Sequence, residues 1–373
     1  MSPASPKIPC WPPRLPEIRR ALARQWARGA WAVHDGPEAL ALVSALQARL
    51  QRAGGILCSS GTAALELALR AARVQSGREV IVAAYDYPGT RHTIEQLGGR
   101  PILVDLAPGR WTIAAERVRA ADSEAVCAVV ASHLHGHHFP AAELRQLADA
   151  RGWVLIEDAC QAIGGSVDGR PCGAWGHLAV LSFGAGKLLS AGSGGALLAD
   201  DPLLLQRART AASRGSAVMP LSELQASVLE PQLRRIDQWH AQRASAAVYL
   251  KSLLETHSAS ANAEVTVELD PGAAHYKLGL RMDSAARANA VIAYGRSLGL
   301  PIGPGFAVVR QMSAPHRRRI SGGVAHAVSA SKTTVLLDGR VLLASPDVLQ
   351  WAAKTILDGA QQAKPPDPEA DPR

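Results

Sequence analysis

The sequence predicts an α/β protein: a large domain on a mostly parallel sheet, followed by a smaller α+β C-terminal domain. Three observations carry this. From Gly55 to Ala199, short apolar runs alternate with helical patterns. Those runs are apolar at successive positions, as in strands covered by helices on both faces. At 373 residues the chain is long enough for one large core and a second, smaller one.

The elements follow in order. Residues 1–16 are Pro-rich and extended, and a helix is expected from Pro16 to about Arg28. A Leu-rich helix is expected from Gly36 to Gln51. The strand candidates are Ile56-Leu57-Cys58, Val80-Ile81-Val82, Ile102-Leu103-Val104, Val126 to Ala131, Val154 to Ile156, Val180-Leu181-Ser182 and Ala196-Leu197-Leu198. Helical patterns such as Thr62–Val74 and Pro140–Ala150 separate most of the earlier ones. Pro202 to Ala212 reads as a helix. A long amphipathic helix is then expected from about Ser222 to His257, with Pro231 kinking it or breaking its first turns. The expected division is residues 1–230 for the N-terminal segment and large domain, 231–360 for the linking helix and small domain, and 361–373 for a disordered Pro-rich, charged tail.

Hydrophobic residues make up 47% and charged ones 19%, which excludes a disordered bulk. The net charge of +8 rests on arginine clusters such as Arg19-Arg20 and Arg317-Arg318-Arg319. No basic run alternates with aromatics and no finger or helix-turn-helix pattern occurs, so nucleic acid is not expected as a partner. Scattered solvated charge and an acidic small substrate fit that charge equally well. The five cysteines are odd in number and widely spaced, and read as small buried hydrophobes in a reducing compartment. The N-terminus has no signal-peptide core, and no run of 18 apolar residues occurs, so a cytoplasmic protein without a membrane partner is expected.

The chemistry concentrates on Lys187. It closes Ser182-Phe183-Gly184-Ala185-Gly186-Lys187, after an apolar strand upstream that ends in Glu157-Asp158. A lysine beyond a small-residue turn can bond an aldehyde covalently, and a strand-end carboxylate can keep a pyridine nitrogen protonated by opposite charge. Together they are what a site for pyridoxal phosphate needs. Read singly, Asp158 is an ordinary helix cap and Lys187 a surface lysine. The glycines beside Lys187 and the apolar strands around it oppose the second. Gln161, three residues past Asp158, can reach the ring's phenolic oxygen. Ser59-Ser60-Gly61-Thr62-Ala63-Ala64 follows a strand and opens a helix, offering free N–H groups, a hydroxyl and a positive helix end to a phosphate. Tyr87, just past the strand Val80–Ala84, is favoured for stacking on the ring over plain packing. His133-Leu134-His135-Gly136-His137-His138 invites a metal, but it reads as a loop at a strand end rather than a helical His pair at i, i+4, and no acidic ligand lies beside it. Substrate-side packing by His133 and His135 is expected instead, and no metal.

With these motifs in hand, the chain resembles the DegT/DnrJ/StrS family of pyridoxal-phosphate sugar aminotransferases from about Trp11 to about Leu254. The resemblance lies in Gly29-Ala30-Trp31, Ser60-Gly61-Thr62-Ala63-Ala64-Leu65, Glu79-Val80-Ile81-Val82, His133-Leu134-His135-Gly136 and Glu157-Asp158-Ala159-Cys160-Gln161. It continues through Ser182-Phe183 with Lys187, Gly194-Gly195 and Ser222-Glu223-Leu224-Gln225-Ala226. It implies the type I, aspartate-aminotransferase-like fold of pyridoxal-phosphate transferases. It implies that Gly61, Thr62 and Ser182 hold phosphate, that Tyr87 stacks, and that Asp158 meets the ring nitrogen. It further implies that Gln161 meets the phenolic oxygen and Lys187 bonds the cofactor. A homodimer with active sites at the interface is implied as well, with a small-molecule keto substrate and glutamate or glutamine as amino donor.

The chain departs from that pattern at several points. Leu188 stands where the family usually has Asn, Gly192-Ser193-Gly194-Gly195 replaces Gly-Glu-Gly-Gly, and Ala212-Ser213-Arg214-Gly215 replaces Arg-Asn-His-Gly. The loop Ser216–Leu221 is short, and His135 replaces a frequent tyrosine. Arg214 is expected on the substrate side, supplying phosphate charge in place of the missing asparagine, and Trp31 is expected there too. The expected activity is amino transfer to a keto group of a nucleotide-sugar or cyclitol. The alternatives are a dehydrating or aromatising enzyme of the same family, or a non-catalytic member.

Overall fold

The computed structural model describes residues 7–213, 220–258, 264–308 and 319–363. The chain enters as an extended segment that leads into α1 (Pro16–Arg28), closed by Gly29 in the left-handed conformation, and α2 (Pro37–Leu50). Proline opens both helices, where its missing N–H costs nothing. Then come β1 (Gly54–Cys58), α3 (Gly61–Ala71), β2 (Glu79–Ala83), α4 (Pro88–Gln96), β3 (Arg100–Val104), α5 (Ala115–Ala120), β4 (Val126–Ser132), α6 (Ala141–Arg151) and β5 (Val154–Asp158). A small hairpin, β6 (Ser166–Val167) and β7 (Arg170–Pro171), precedes β8 (Leu178–Ser182), β9 (Gly195–Ala199) and α7 (Pro202–Ser213).

These strands form one sheet in the order β1-β9-β8-β5-β4-β2-β3, and a two-residue strand Arg319–Ile320 from the C-terminal region extends it beside β3. Only β9 runs against the rest, pairing antiparallel with both β1 and β8. Every residue of β2 and β4 is buried, because helices cover both faces. The carboxyl ends of β1, β2, β4, β5 and β8 therefore open on one edge, the place where such sheets bind ligands.

The expected long helix at Ser222 is two helices, α8 (Glu223–Leu233) and α9 (Ile236–Ser258). Ser222 and Gln225 form a capping box that starts α8. Pro231 lies in the last turn of α8 rather than its first. It has no N–H to donate up the ladder, and the helix ends two residues later. After α9 come β10 (Val265–Thr266), β11 (Lys277–Met282), α10 (Ala285–Ser297), β12 (Ile302–Pro304), β13 (the strand Arg319–Ile320), α11 (Ala325–Thr333), β14 (Thr334–Asp338) and α12 (Pro346–Gln361).

β10, β11, β14 and β12 make a second, antiparallel sheet. Its core holds Leu250, Leu278, Val291, Leu337 and Ile356, separate from the core of the large sheet. The expected tail lies outside the described residues from 364 onward. All five cysteines are free thiols. No helix among the described residues is long and apolar enough to cross a membrane.

Candidate active site

At the carboxyl edge of the large sheet lies a cavity of about 390 Å³. Lys187, Asp158, Gly61, Thr62, Tyr87, Gln161, Ser182, His133 and His135 all line it. Residues spread over more than a hundred positions of sequence thus share one space. The second sheet closes it with Tyr276, Lys277, Pro304, Phe306 and Leu336.

Lys187 ends a tight turn in which its N–H donates to the Gly184 carbonyl at 3.1 Å and Gly186 takes φ +79°, a conformation that favours glycine. Its own carbonyl accepts from the Trp11 indole N–H at 2.7 Å, so the N-terminal segment fastens the turn. The Nζ stands 4.7 Å from the centre of the Tyr276 ring.

Asp158 closes β5 and is buried, with one oxygen accepting the Cys160 N–H at 2.9 Å. Asp86, which the sequence reading passed over, is buried beside it and accepts from the Tyr87 N–H at 2.6 Å and the Ser132 hydroxyl at 2.9 Å. Burial first, and then the charge of Asp158, push the Asp86 carboxyl up to about 7. Its neighbour Tyr87 is 47% exposed, so its ring stands at the cavity mouth.

Ser60 caps α3 by accepting the Ala63 N–H at 3.0 Å, which leaves the first turn of that helix facing the cavity. At Gly61 an added Cβ would stand 2.7 Å from the Ser182 Cβ, so glycine lets the helix start approach Ser182. The side-chain oxygen of Gln161 is buried with no hydrogen-bond partner.

The histidine run divides. Leu134 and His137 exchange backbone hydrogen bonds across His135 (φ +58°) and Gly136 (φ +93°). Two positive φ values make this a hairpin-type turn, and histidine tolerates that region better than most residues. His135 is thereby set in the cavity wall, its Nε2 3.1 Å from the Tyr85 hydroxyl. Burial, then the charges of Lys277, His137 and Lys187, lower its pKa to about 3. His137 bonds to the Glu268 carbonyl at 3.2 Å, outside the cavity lining.

One expected site residue does not meet the rest. Trp31 is 52% exposed and does not line the cavity, because its short turn after α1 packs beside α8 on the outer surface. Arg214 lies outside the described residues. Tyr276, Lys277 and Phe306 are not among the expected site residues, since only the folding of the C-terminal region brings them to the cavity.

A model of the DegT/DnrJ/EryC1/StrS aminotransferase family matches residues 14–353. The chain is 34% identical over 250 residues to the erythromycin biosynthesis sensory transduction protein EryC1 of Saccharopolyspora erythraea, covering 64% of this chain and 68% of that one. It is 32% identical over 276 residues to the L-glutamine:2-deoxy-scyllo-inosose aminotransferase of Streptomyces kanamyceticus, covering 66% and 64%. The crystal structure of 3-amino-5-hydroxybenzoic acid synthase superposes with a TM-score of 0.86 at 26% identity, covering 96% of this chain and 100% of the other.

Proposed function

The chain belongs to the DegT/DnrJ/EryC1/StrS family of pyridoxal-phosphate-dependent aminotransferases, and from that premise we propose that it moves an amino group from glutamate or glutamine to a keto group of a nucleotide-sugar or cyclitol. The observation that carries this is the convergence of Lys187, Asp158 and the Gly61-Thr62 helix start on one cavity. Its volume of about 390 Å³ is that of a small-molecule site.

The residues present fit pyridoxal phosphate. The glycine at the start of α3 admits an anion close to free backbone N–H groups. A buried acid faces the same space, and a buried amide at Gln161 lacks a partner there. When bound, this cofactor supplies an aldehyde and an electron-withdrawing ring. Gly61, Thr62 and Ser182 would hold its phosphate, and Tyr87 would lie against the ring. Asp158 would keep the ring nitrogen protonated, with Gln161 donating to the phenolic oxygen after an amide flip. Lys187 would hold the aldehyde through Nζ. Once displaced by the donor, that Nζ would take the proton from the donor's α-carbon, as base and then as acid. Lys277 lines the same wall and offers a cation to the donor's carboxylate. A homodimer with active sites at the interface gives exposed Trp31 a role it lacks in the single chain, facing the partner's cavity.

A second reading is favoured by the match over nearly the whole chain to the 3-amino-5-hydroxybenzoic acid synthase structure. That is a dehydrating or aromatising reaction on a ring substrate, with Lys187 retained as the base.

Borohydride reduction of purified protein supplied with pyridoxal phosphate tests the cofactor: a trapped adduct at Lys187 is expected, and a colourless protein without one ends the reading. Adding glutamine or glutamate alone should then shift the visible absorbance to that of the aminated cofactor. Product masses from a keto-sugar nucleotide and from a keto-cyclitol separate amination from loss of water.

A further inference from the structure

We propose that His133, His138 and Cys172 together bind a Zn²⁺ ion, at a site next to the cofactor cavity but distinct from the groups assigned to the cofactor. The Nδ1 atoms of the two histidines stand 3.2 Å apart, and the Cys172 Sγ is 3.8 Å from the His138 Nδ1. The three ligand atoms lie within 4.8 Å of one another. Around a tetrahedral zinc with bonds of about 2.0 Å to nitrogen and 2.3 Å to sulfur, two nitrogens are about 3.3 Å apart and a nitrogen and a sulfur about 3.6 Å. The side chains are therefore already near coordination distance of a common centre.

The surroundings set the correct tautomer. Glu157 is fully buried and accepts from the Gly173, Trp175 and Gly176 N–H groups at 2.6, 2.7 and 2.8 Å, and its Oε1 meets the His133 Nε2 at 2.9 Å. A carboxylate whose oxygens accept three backbone N–H groups serves as an acceptor toward His133 as well, so the His133 Nε2 donates to it and Nδ1 is the ring atom turned to His138 and Cys172. A carboxylate behind a histidine is the usual outer support of a metal ligand.

Without an ion, the His138 Nδ1 must carry the proton shared with His133, which leaves a buried Nε2 that has no hydrogen bond. With an ion, Nδ1 serves as the ligand atom and the ring proton sits on Nε2. The Cys172 thiol loses its proton to solvent and the ion takes its place, so one thiolate and two neutral imidazoles meet the dication. His138 also lines a second, open cleft with Glu116 and Asp168, where Arg110 pairs with Asp270 and Arg119 with Glu143. The sequence reading set a metal aside because the four histidines lacked a partner of the right kind nearby, and the fold supplies one 34 residues beyond His138. The ion would tie the turn after β4 to the hairpin β6–β7 and fix His133 in the cavity wall.

The test uses the full-length protein loaded with pyridoxal phosphate, purified without a metal-affinity step, stripped with a chelator and titrated with Zn²⁺ or Co²⁺. About one zinc per chain should survive gel filtration. Cobalt should give a near-ultraviolet thiolate charge-transfer band and the strong visible bands of four-coordinate cobalt. Cys172→Ser should remove the charge-transfer band and weaken zinc binding at least about 10-fold. His138→Gln should also weaken it, whereas Cys127→Ser should change neither. Far-ultraviolet circular dichroism of each variant checks that it folds, and His138→Gln decides if Cys172→Ser does not. Wild-type protein that holds no zinc and shows no cobalt charge transfer, or a folded Cys172→Ser variant with the wild-type spectrum, overturns the proposal.

Discussion

The Nζ of Lys187 lies 4.7 Å from the centre of the Tyr276 ring, and this contact joins the turn after β8 to the residue that precedes β11. Burial raises the Tyr276 hydroxyl, with the Lys187 charge pulling the other way, so the ring stays a neutral phenol at pH 7. The aromatic face, rather than the hydroxyl, is then what holds the amine.

Tyr276→Phe should consequently retain most activity, because the face remains. Tyr276→Ala should lower kcat/KM by about 3- to 30-fold, the worth of a cation–π contact of roughly 0.5–2 kcal/mol. Steady-state kinetics on both variants checks this. An equal loss in the two would move the role to the hydroxyl.

Asp86 and Asp158 form a like-charged pair under the proposed ring position. With the Asp86 carboxyl raised to about 7, raising the pH through neutrality places a second negative charge beside Asp158. The absorbance of bound cofactor should therefore show a titration near pH 7. Asp86→Asn should remove it, with the amide oxygen still accepting from the Tyr87 N–H and the amide nitrogen donating to the Ser132 hydroxyl oxygen. A titration unchanged in Asp86→Asn would assign it to another group.

Acid should destabilise the fold through its neutral histidines. Burial, then neighbouring cations, hold His135 at about 3, and burial with His240 and Arg243 holds His275 at about 4. Both groups start from 6.5 in the unfolded chain. Between those values the unfolded state binds more protons, so their contribution is complete above pH 6.5 and is lost as pH falls toward the folded values. Asp86 works against this: its contribution is complete below 3.8 and lost as pH rises through about 7. Two histidines outweigh one carboxyl, so the denaturation midpoint should fall from pH 6.5 to 5. Each histidine can add up to about 1.4 kcal/mol per pH unit. His135→Phe should make that slope shallower by up to one proton, and an unchanged slope would remove His135 from the account.

Much of this architecture is legible in the chain itself. Strands buried on both faces write themselves as continuous apolar runs, which is why β2, β4 and β5 are readable, with Asp158 ending β5 and Lys187 in the turn after β8. What escapes reading depends on neighbours distant in sequence. Asp86 is raised by burial and by the charge of Asp158, which the pairing of β4 with both β2 and β5 brings close to it. Trp11 holds the Lys187 carbonyl across 176 residues. The break between α8 and α9 falls after Pro231, because a proline removes one ladder bond without dictating which turn then yields.

The turn at Gly195 offers a sharp test of how the helix start is positioned. There an added Cβ would stand 2.3 Å from the Ser60 carbonyl oxygen and 2.8 Å from the Gly61 N, both backbone atoms that cannot swing aside. Gly195→Ala must push β9 away from the Ser60-Gly61 segment, which pairs with Gly194 through a single bridge. Overpacking of this kind costs roughly 1–3 kcal/mol. Because the displaced atoms are those proposed to cradle phosphate, affinity for pyridoxal phosphate should fall together with the melting temperature. Gly192 is the control: it has positive φ (+77°), which Gly195 does not, but an added Cβ there meets nothing within 4 Å. Gly192→Ala should cost backbone strain alone, about 1 kcal/mol, and leave cofactor affinity near wild type. Thermal melts of the apo and loaded proteins separate the two effects, and a Gly195→Ala protein whose loaded-minus-apo shift matches wild type would show that the cradle does not depend on this contact.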